Sequence, residues 1–154
     1  MDRDRLLEVL LNLFEISHRL VKLDEKPWNF GVGEALTRAE IHMLSAVASR
    51  EDASVTELAR RKRITKGAVS QILKRLEHKG LVEKRADSRN ASRLQVRLTT
   101  KGRRACRGHD RMHDDIVEAV RHHVGDLDEQ TLSILHSVLD RLGVLLDRFE
   151  VGKE

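Results

Sequence analysis

The sequence is poor in the residues that build disulfide-bonded, aromatic-rich or membrane-spanning proteins. Its 154 residues include one Cys, one Pro, one Trp, three Phe and no Tyr. A single cysteine excludes an internal disulfide and is typical of a reducing compartment. No apolar run approaches the ~20 residues that span a bilayer, and no basic stretch followed by an apolar one opens the chain. We therefore expect a cytoplasmic protein without a signal peptide or a membrane partner.

The few aromatic residues lie outside the most basic part of the chain. Residues 53–107 contain no Phe, Trp or Tyr, and they carry 17 Lys and Arg against 4 Asp and Glu. The rest of the chain carries 12 against 21. Proteins that bind single strands stack bases on aromatic side chains, so that class is disfavoured. A concentrated positive module suits a duplex, because each neutralised phosphate releases counterions. A solvated basic face is the alternative.

Apolar periodicity predicts a mainly α-helical chain. A helix from about Asp4 to Leu23 is apolar around most of its circumference, which indicates packing against more than one neighbour. A capping box at Thr37 and Glu40 opens a second helix. Two long helices follow the basic block, one capped by Thr99 or Thr100 and one beginning near Asp126. Because aromatic residues are scarce, the interior must consist of Leu, Val, Ile and Ala.

A helix, a tight turn, a second helix and a hairpin follow one another inside the basic block. Residues 54–63 form the first helix, and Thr65 is the expected N-cap of the second, over residues 66–79. Alternating apolar residues predict strands at 81–85 and 94–98, around turn residues at 87–90. This order is that of a winged helix-turn-helix, a mainly α fold with a small β-hairpin wing.

The polar face of the second helix provides the predicted DNA contacts. Gln71 is suited to adenine and Arg75 to guanine in the major groove, and Gly67 permits close approach of the backbone. Arg89 is placed at the wing, where Asp87 would orient it through a charge-assisted hydrogen bond. The predicted DNA-binding residues are Thr65, Lys66, Gly67, Ser70, Gln71, Lys74, Arg75, Asp87, Arg89 and Arg93.

Four segments of the sequence fall in an order and spacing that resemble one known family. They are Leu36–Leu44, Val55–Ala59, Ile64–Val82, and the stretch from Asp87-Ser-Arg to Leu98-Thr-Thr-Lys-Gly. Together they resemble the MarR family of winged-helix transcription regulators. The resemblance implies a DNA-binding domain at 36–102, an N-terminal dimerisation helix and loop at 1–35, and C-terminal helices at 103–154 that complete the dimer interface. The wing differs from that of many relatives, because Asn-Ala-Ser between its two arginines is less basic.

The resemblance also implies a homodimer, and the residues agree with it. The first and last helices carry more apolar surface than a small winged helix covers, and such patches mark interfaces. A two-fold dimer places two recognition helices one helical turn apart, which predicts a pseudo-palindromic operator. A monomer with a larger helical core is the alternative.

Eight histidines raise the question of a metal site. His109 and His113 lie at i and i+4 on one predicted helix, a spacing that can hold a metal ion. The sequence is similar here to the zinc-responsive branch of the family, which implies His42, His109, His113 and either Asp24 or Glu25 as ligands of Zn. The branch's second site uses a cysteine in the N-terminal loop, which this sequence lacks. Exposed histidines at helical spacing are the alternative.

The one cysteine, Cys106, has two interpretations. It follows Arg103 and Arg104, which would lower the pKa of the thiol and favour an oxidant sensor. The alternative is a small residue of the core.

These patterns favour a dimeric, sequence-specific DNA-binding transcription regulator, most simply a repressor whose operator affinity responds to a small effector or a metal ion. The alternative is a weakly specific architectural protein that makes phosphate contacts only. An enzyme is not expected, because the sequence has no HExxH motif, no P-loop and no nucleophile elbow.

Overall fold

The computed structural model of the protein describes residues 2–50, 52–87 and 90–151, without the side chains of residues 24, 87, 90–94, 150 and 151. The helices are α1 (Arg3–Asp24), α2 (Arg38–Ala48), α3 (Val55–Lys62), α4 (Lys66–His78), α5 (Thr100–Val124) and α6 (Glu129–Val151). The strands are β1 (Trp28–Asn29), β2 (Ala35–Leu36), β3 (Ala53–Ser54), β4 (Val82–Asp87) and β5 (Asn90–Leu98). The predicted class, mainly helical with a small antiparallel wing, is confirmed.

Side-chain caps set the beginnings of the three short helices. The Thr37 hydroxyl accepts from the Glu40 amide, and the Glu40 carboxylate accepts from the Thr37 amide at 2.9 Å, so the predicted capping box is confirmed. Ser54 and Glu57 repeat this arrangement at α3. Thr65 caps α4 as predicted, accepting from the Ala68 amide at 3.1 Å. Each such cap stabilises its helix by about 1 kcal/mol.

The chain divides into two compact units, Met1–Arg111 and Met112–Glu154. In the first, α4 packs against α2 and α3, and all three helices contact a three-stranded antiparallel sheet of order β3-β5-β4. The side chains that are almost fully buried there are aliphatic apart from Glu40. The large side chains of this aliphatic set are Leu36, Met43, Leu44, Val47, Leu58, Val69, Leu73, Leu76, Leu81 and Val96. Burial of each large aliphatic side chain contributes about 1.5–3 kcal/mol, so this core fixes the position of α4.

Two glycines let the first half of α5 approach other backbone segments closely. A Cβ atom on Gly102 would lie 2.0 Å from the Leu81 carbonyl oxygen, and one on Gly108 would lie 2.3 Å from that of Phe30. Thr99, one of the two residues expected to cap this helix, accepts from the Gly102 amide at 3.0 Å. The Thr99 hydroxyl also donates to the Gly80 carbonyl at 2.7 Å. The helix start is therefore fixed to the turn between α4 and β4.

Three short strands were not predicted. Strands β1 and β2 pair within the region expected to be a loop. Strand β3 joins the hairpin as a third strand, with Ala53 opposite Val96. Two-residue strands are too short for an alternating pattern to reveal them.

The second unit consists of the C-terminal half of α5 together with the whole of α6, and many of its apolar side chains are exposed. On α6 they are Leu132, Ile134, Leu135, Val138, Leu139, Val144, Leu145, Leu146 and Phe149. None of the helices in the described residues combines the length and apolar character needed to cross a membrane.

Candidate nucleic-acid interface

Helix α4 has one buried and one exposed face. Val69, Ile72, Leu73 and Leu76 lie in the core at i, i+3, i+4 and i+7. The exposed side carries the seven residues of this segment that were predicted to contact DNA: Thr65, Lys66, Gly67, Ser70, Gln71, Lys74 and Arg75. These polar groups therefore lie together on the exposed face of a helix whose opposite face packs in the core. Their donors are suited to base edges and phosphates.

The turn before α4 carries a cluster of cations that was not included in the predicted site. Arg60, Arg61 and Lys62 form the last turn of α3, and Arg63 follows as its C-cap. Arg63 has a left-handed backbone with φ of 53°, a conformation that usually selects glycine. Four consecutive cations are visible in the sequence, but the backbone that brings Arg63 to the start of α4 is not.

The base of the wing is fixed by an ion pair that links two segments distant in sequence. Asp52 accepts from Arg97 of β5, with Nη2 and Oδ2 separated by 2.8 Å and a second, short hydrogen bond from Nε. The hydrogen bond from Arg97 holds the pKa of Asp52 below its usual value, and this outweighs the opposing effect of burial. The pair ties the β5 strand to the α2–β3 connection.

The predicted wing contacts fall on a part of the hairpin outside the described side chains. Arg89 lies outside the described residues, as do the side chains of Asp87 and Arg93. The backbone of Asp87 pairs with that of Asn90 in the antiparallel hairpin. These three residues therefore remain predictions of the sequence.

A buried carboxylate lies behind the exposed end of α4. Glu40 accepts from the Lys79 ammonium group at 2.8 and 3.0 Å, and its Oε1 lies 3.6 Å from Arg75 Nε. Burial raises the pKa of Glu40, but the hydrogen bonds from Lys79 and Thr37 outweigh it, and the net effect lowers the pKa. The carboxylate is therefore ionised at neutral pH. Sequence reasoning identified Glu40 only as part of a capping box.

The structure brings together two of the four predicted zinc ligands. The rings of His42 and His109 meet edge to face with centroids 5.6 Å apart, and His109, which is buried, meets Phe30 in the same way at 5.5 Å. Glu25 is exposed at the C-cap of α1, and His113 belongs to the second unit. Among the described residues, no group of three or more His, Cys, Asp or Glu is arranged to hold a metal ion. The predicted zinc site therefore gains no support.

The environment of Cys106 differs from the one expected. Burial raises the pKa of the thiol, the negative charge of Asp110 raises it further, and the opposing effect of Arg107 is smaller. The net shift is therefore upward, and the expectation of a lowered thiol pKa is wrong. Exposed guanidinium groups are screened by water, whereas loss of solvation acts on the thiolate directly.

Comparison with known proteins agrees with the geometry of this module. Residues 36–93 match the family model described as the MarR family. The chain is 26% identical over 144 residues to the HTH-type transcriptional repressor YetL of Bacillus subtilis (strain 168), covering 92% of this chain and 84% of YetL. It is 35% identical over 97 residues to the uncharacterized HTH-type transcriptional regulator YhjH of the same organism, covering 63% of this chain and 53% of YhjH.

The fold of this chain is also found in solved structures of other proteins. Streptococcus pneumoniae FabT, crystallised in complex with DNA, superposes with a TM-score of 0.68 at 22% identity, covering 96% of this chain and 99% of FabT. The chain is thus similar to the MarR family over residues 36–93, and its fold is that of FabT. The two curated relatives are named a transcriptional repressor and a transcriptional regulator. The zinc-responsive branch is not shown.

Proposed function

We propose that this chain is a MarR-family regulator that binds double-stranded DNA as a homodimer and represses transcription by occupying an operator. One observation carries the proposal: α4 buries four aliphatic side chains and exposes a continuous polar face within the basic block. A helix of this kind fits the major groove, where hydrogen-bond donors and acceptors distinguish all four base pairs.

The proposed interface consists of α4, the residues that cap it and the wing. Gln71 pairs with adenine through its amide, while Lys66 and Lys74 contact phosphates or guanine. Gly67 has only the Thr65 hydroxyl within 4 Å of a Cβ placed on it, so its lack of a side chain is not required by the fold. Its small size instead permits contact between the α4 backbone and the duplex. The wing residues Arg89 and Arg93 complete the proposed set.

The relatives support this proposal by analogy. YetL is named a transcriptional repressor, and FabT was solved in complex with DNA. The matched segment, residues 36–93, contains α2, α3, α4 and part of the wing. The matched segment therefore covers residues 36–93 of the proposed DNA-binding domain at 36–102.

We propose that α1 and the C-terminal helices form the dimer interface. Apolar side chains of α1 are exposed in the single chain, among them Phe14 and Leu20, each more than half accessible. In the second unit, α6 exposes Val138 and Phe149 to a similar degree. Water-exposed apolar faces of this extent are covered in most soluble proteins, and a second copy of the chain supplies matching surfaces. Sedimentation equilibrium should give twice the chain mass; a monomer at micromolar concentration would contradict the dimer.

The function is tested by selecting duplexes from a random library and competing them with random DNA. A regulator should bind the selected duplex at least about a thousandfold more tightly than random duplex at physiological salt. A weakly specific architectural protein would show nearly equal affinities, because phosphate contacts carry no sequence information. Replacement Gln71→Ala should cost about 1–3 kcal/mol on the selected duplex. The matched control Gln130→Ala, at an exposed position of α6, should leave binding unchanged.

Control by a small effector or a metal ion is a further part of the proposal. His42 and His109 are only two ligands, whereas a zinc site in a protein has three or four. A zinc titration monitored by calorimetry and by DNA affinity tests zinc as the effector. Binding tighter than micromolar that changes DNA affinity favours zinc, and no such binding with unchanged DNA affinity would contradict zinc as the effector.

A further inference from the structure

The Glu40 carboxylate is a buried charge whose position is fixed on several sides. Its side chain is 1% exposed. The Thr37 amide donates to Oε2 at 2.9 Å, and Lys79 Nζ donates to both carboxylate oxygens at 2.8 and 3.0 Å. A buried carboxylate needs such partners, because an unpaired charge away from water is strongly destabilising. Its two oxygens therefore have little freedom to move.

Lys79 is held as firmly as the carboxylate that it meets. Its ammonium group also donates to the Ala35 carbonyl at 3.0 Å. Its own carbonyl accepts from Lys101 Nζ at 2.9 Å, and that lysine forms a further short ion pair with Glu34. The C-terminal end of α4 is thus bound both to the segment before α2 and to the first turn of α5. These contacts make Glu40 part of a rigid support behind the recognition helix.

Arg75 is the one exposed side chain of α4 that this support touches. Its Nε lies 3.6 Å from Glu40 Oε1, while the side chain stays 54% exposed. In the described part of the chain, Arg75 forms no other ion pair. The inner edge of its guanidinium group therefore faces a fixed negative charge, and the two terminal nitrogens are not engaged by another carboxylate.

We propose that Glu40 is a positioning residue for DNA recognition: it holds the Nε edge of Arg75 and leaves the two terminal nitrogens to donate to a paired acceptor on the duplex. The inference rests on the proposed function. Such an acceptor is either a phosphate group or the O6 and N7 edge of guanine, since both match the planar fork of arginine.

Glu40 raises the affinity for DNA because it orients Arg75 before the duplex binds. An exposed arginine loses side-chain freedom when it binds, and a side chain that is already oriented loses less. Lysine cannot replace it, because its ammonium group is a point charge with neither an Nε nor a planar fork. Glu40 therefore acts on DNA through Arg75 and does not touch the duplex itself.

A double-mutant cycle with Glu40→Gln and Arg75→Met tests this coupling on the selected duplex. Glutamine keeps the shape of the side chain but removes the charge that orients Arg75. We expect Glu40→Gln to weaken binding about tenfold in the wild-type background, the size of one good contact. In the Arg75→Met background the same change should cost less than about twofold, because the residue through which Glu40 acts is gone. The control Glu77→Gln removes an exposed acid of α4 that pairs with Lys84 of β4, and it should not weaken binding.

The two sources of the acceptor give different results. If Arg75 reads guanine, Arg75→Met weakens binding to the selected duplex much more than binding to random duplex. If it contacts a phosphate, both affinities fall and the slope of log affinity against log salt decreases in magnitude by about 0.9. Equal costs of Glu40→Gln in both Arg75 backgrounds would overturn the proposal while wild-type binding still upheld the proposed function.

A second variant keeps the proposal testable if Glu40→Gln lowers the thermal midpoint. Arg75→Lys changes an exposed side chain and retains its charge. We expect it to weaken binding to the selected duplex about tenfold, because the fork and the Nε contact are lost. Full retention of affinity by Arg75→Lys would show that only the charge matters, and it would overturn the role of Glu40.

Discussion

Replacement of Gly102 by alanine should destabilise the protein, although alanine is the better helix former. In an open helix position this change would stabilise by about 1 kcal/mol. Here the new Cβ would lie 2.0 Å from the Leu81 carbonyl oxygen and 3.4 Å from a Leu98 methyl carbon. The first contact is to backbone, so no side-chain rotation relieves it, and α5 must move by more than about 1 Å to restore van der Waals distance.

Such a movement has two costs. Overpacking of this kind costs about 3 kcal/mol, and it disturbs the Leu81 carbonyl, which accepts from the Thr99 amide at 3.1 Å. Losing that hydrogen bond costs about 1 kcal/mol more. After allowing for the helix preference of alanine, we expect a net loss of about 3 kcal/mol, or about 6–12 °C in the thermal midpoint.

The assay is urea and thermal unfolding monitored by far-UV circular dichroism, at one fixed chain concentration because the proposed dimerisation would shift the midpoint. Gly67→Ala is the matched control, since its Cβ has only the Thr65 hydroxyl nearby, at 3.9 Å. It should leave stability unchanged or raised by up to about 1 kcal/mol. A midpoint of Gly102→Ala at or above that of the wild type would refute the close approach of α5 to the β4 hairpin.

Three further predictions concern charge and reactivity. Asp52 has a lowered pKa, so its pairing with Arg97 stabilises the wing above the usual carboxyl range and is lost as pH falls through the folded pKa; the midpoint difference between wild type and Asp52→Asn should shrink between about pH 5 and pH 3. The pKa of Glu40 is also lowered, so its ionised form stabilises the protein above the usual carboxyl range. Glu40→Gln should therefore reduce the loss of stability as the pH falls. A curve of stability against pH parallel to that of the wild type would contradict the ionisation of Glu40. Cys106, whose pKa is raised by burial and by Asp110, should react with Ellman's reagent more slowly when folded than when unfolded; equal rates would contradict this.

Local sequence patterns predicted most of the helical architecture. The apolar spacing of Val69, Ile72, Leu73 and Leu76 identified the buried face of α4, and Thr65 marked its start, because both signals act within one helix. The same reasoning identified the exposed polar face. These features depend on neighbours three or four residues apart, which a sequence displays directly.

Contacts between distant segments were not predictable in the same way. Asp52 and Arg97 are separated by 45 positions, and Glu40 and Lys79 by 39. Nothing in the local periodicity of either partner indicates which opposite charge it will meet once the core has formed. The pKa of Cys106 was misjudged for a related reason, because neighbouring arginines are visible in the sequence while burial depends on the tertiary structure.

The insertion of α4 into the major groove is tested most directly by replacing guanine and adenine in the selected duplex with their 7-deaza analogues. This change removes the N7 acceptor of the major groove and leaves the phosphates and the minor groove intact. We expect two positions, one helical turn apart, at which the replacement weakens binding by about 1–3 kcal/mol, with little effect elsewhere. Unchanged affinity at every position would show that the helix does not read the major groove.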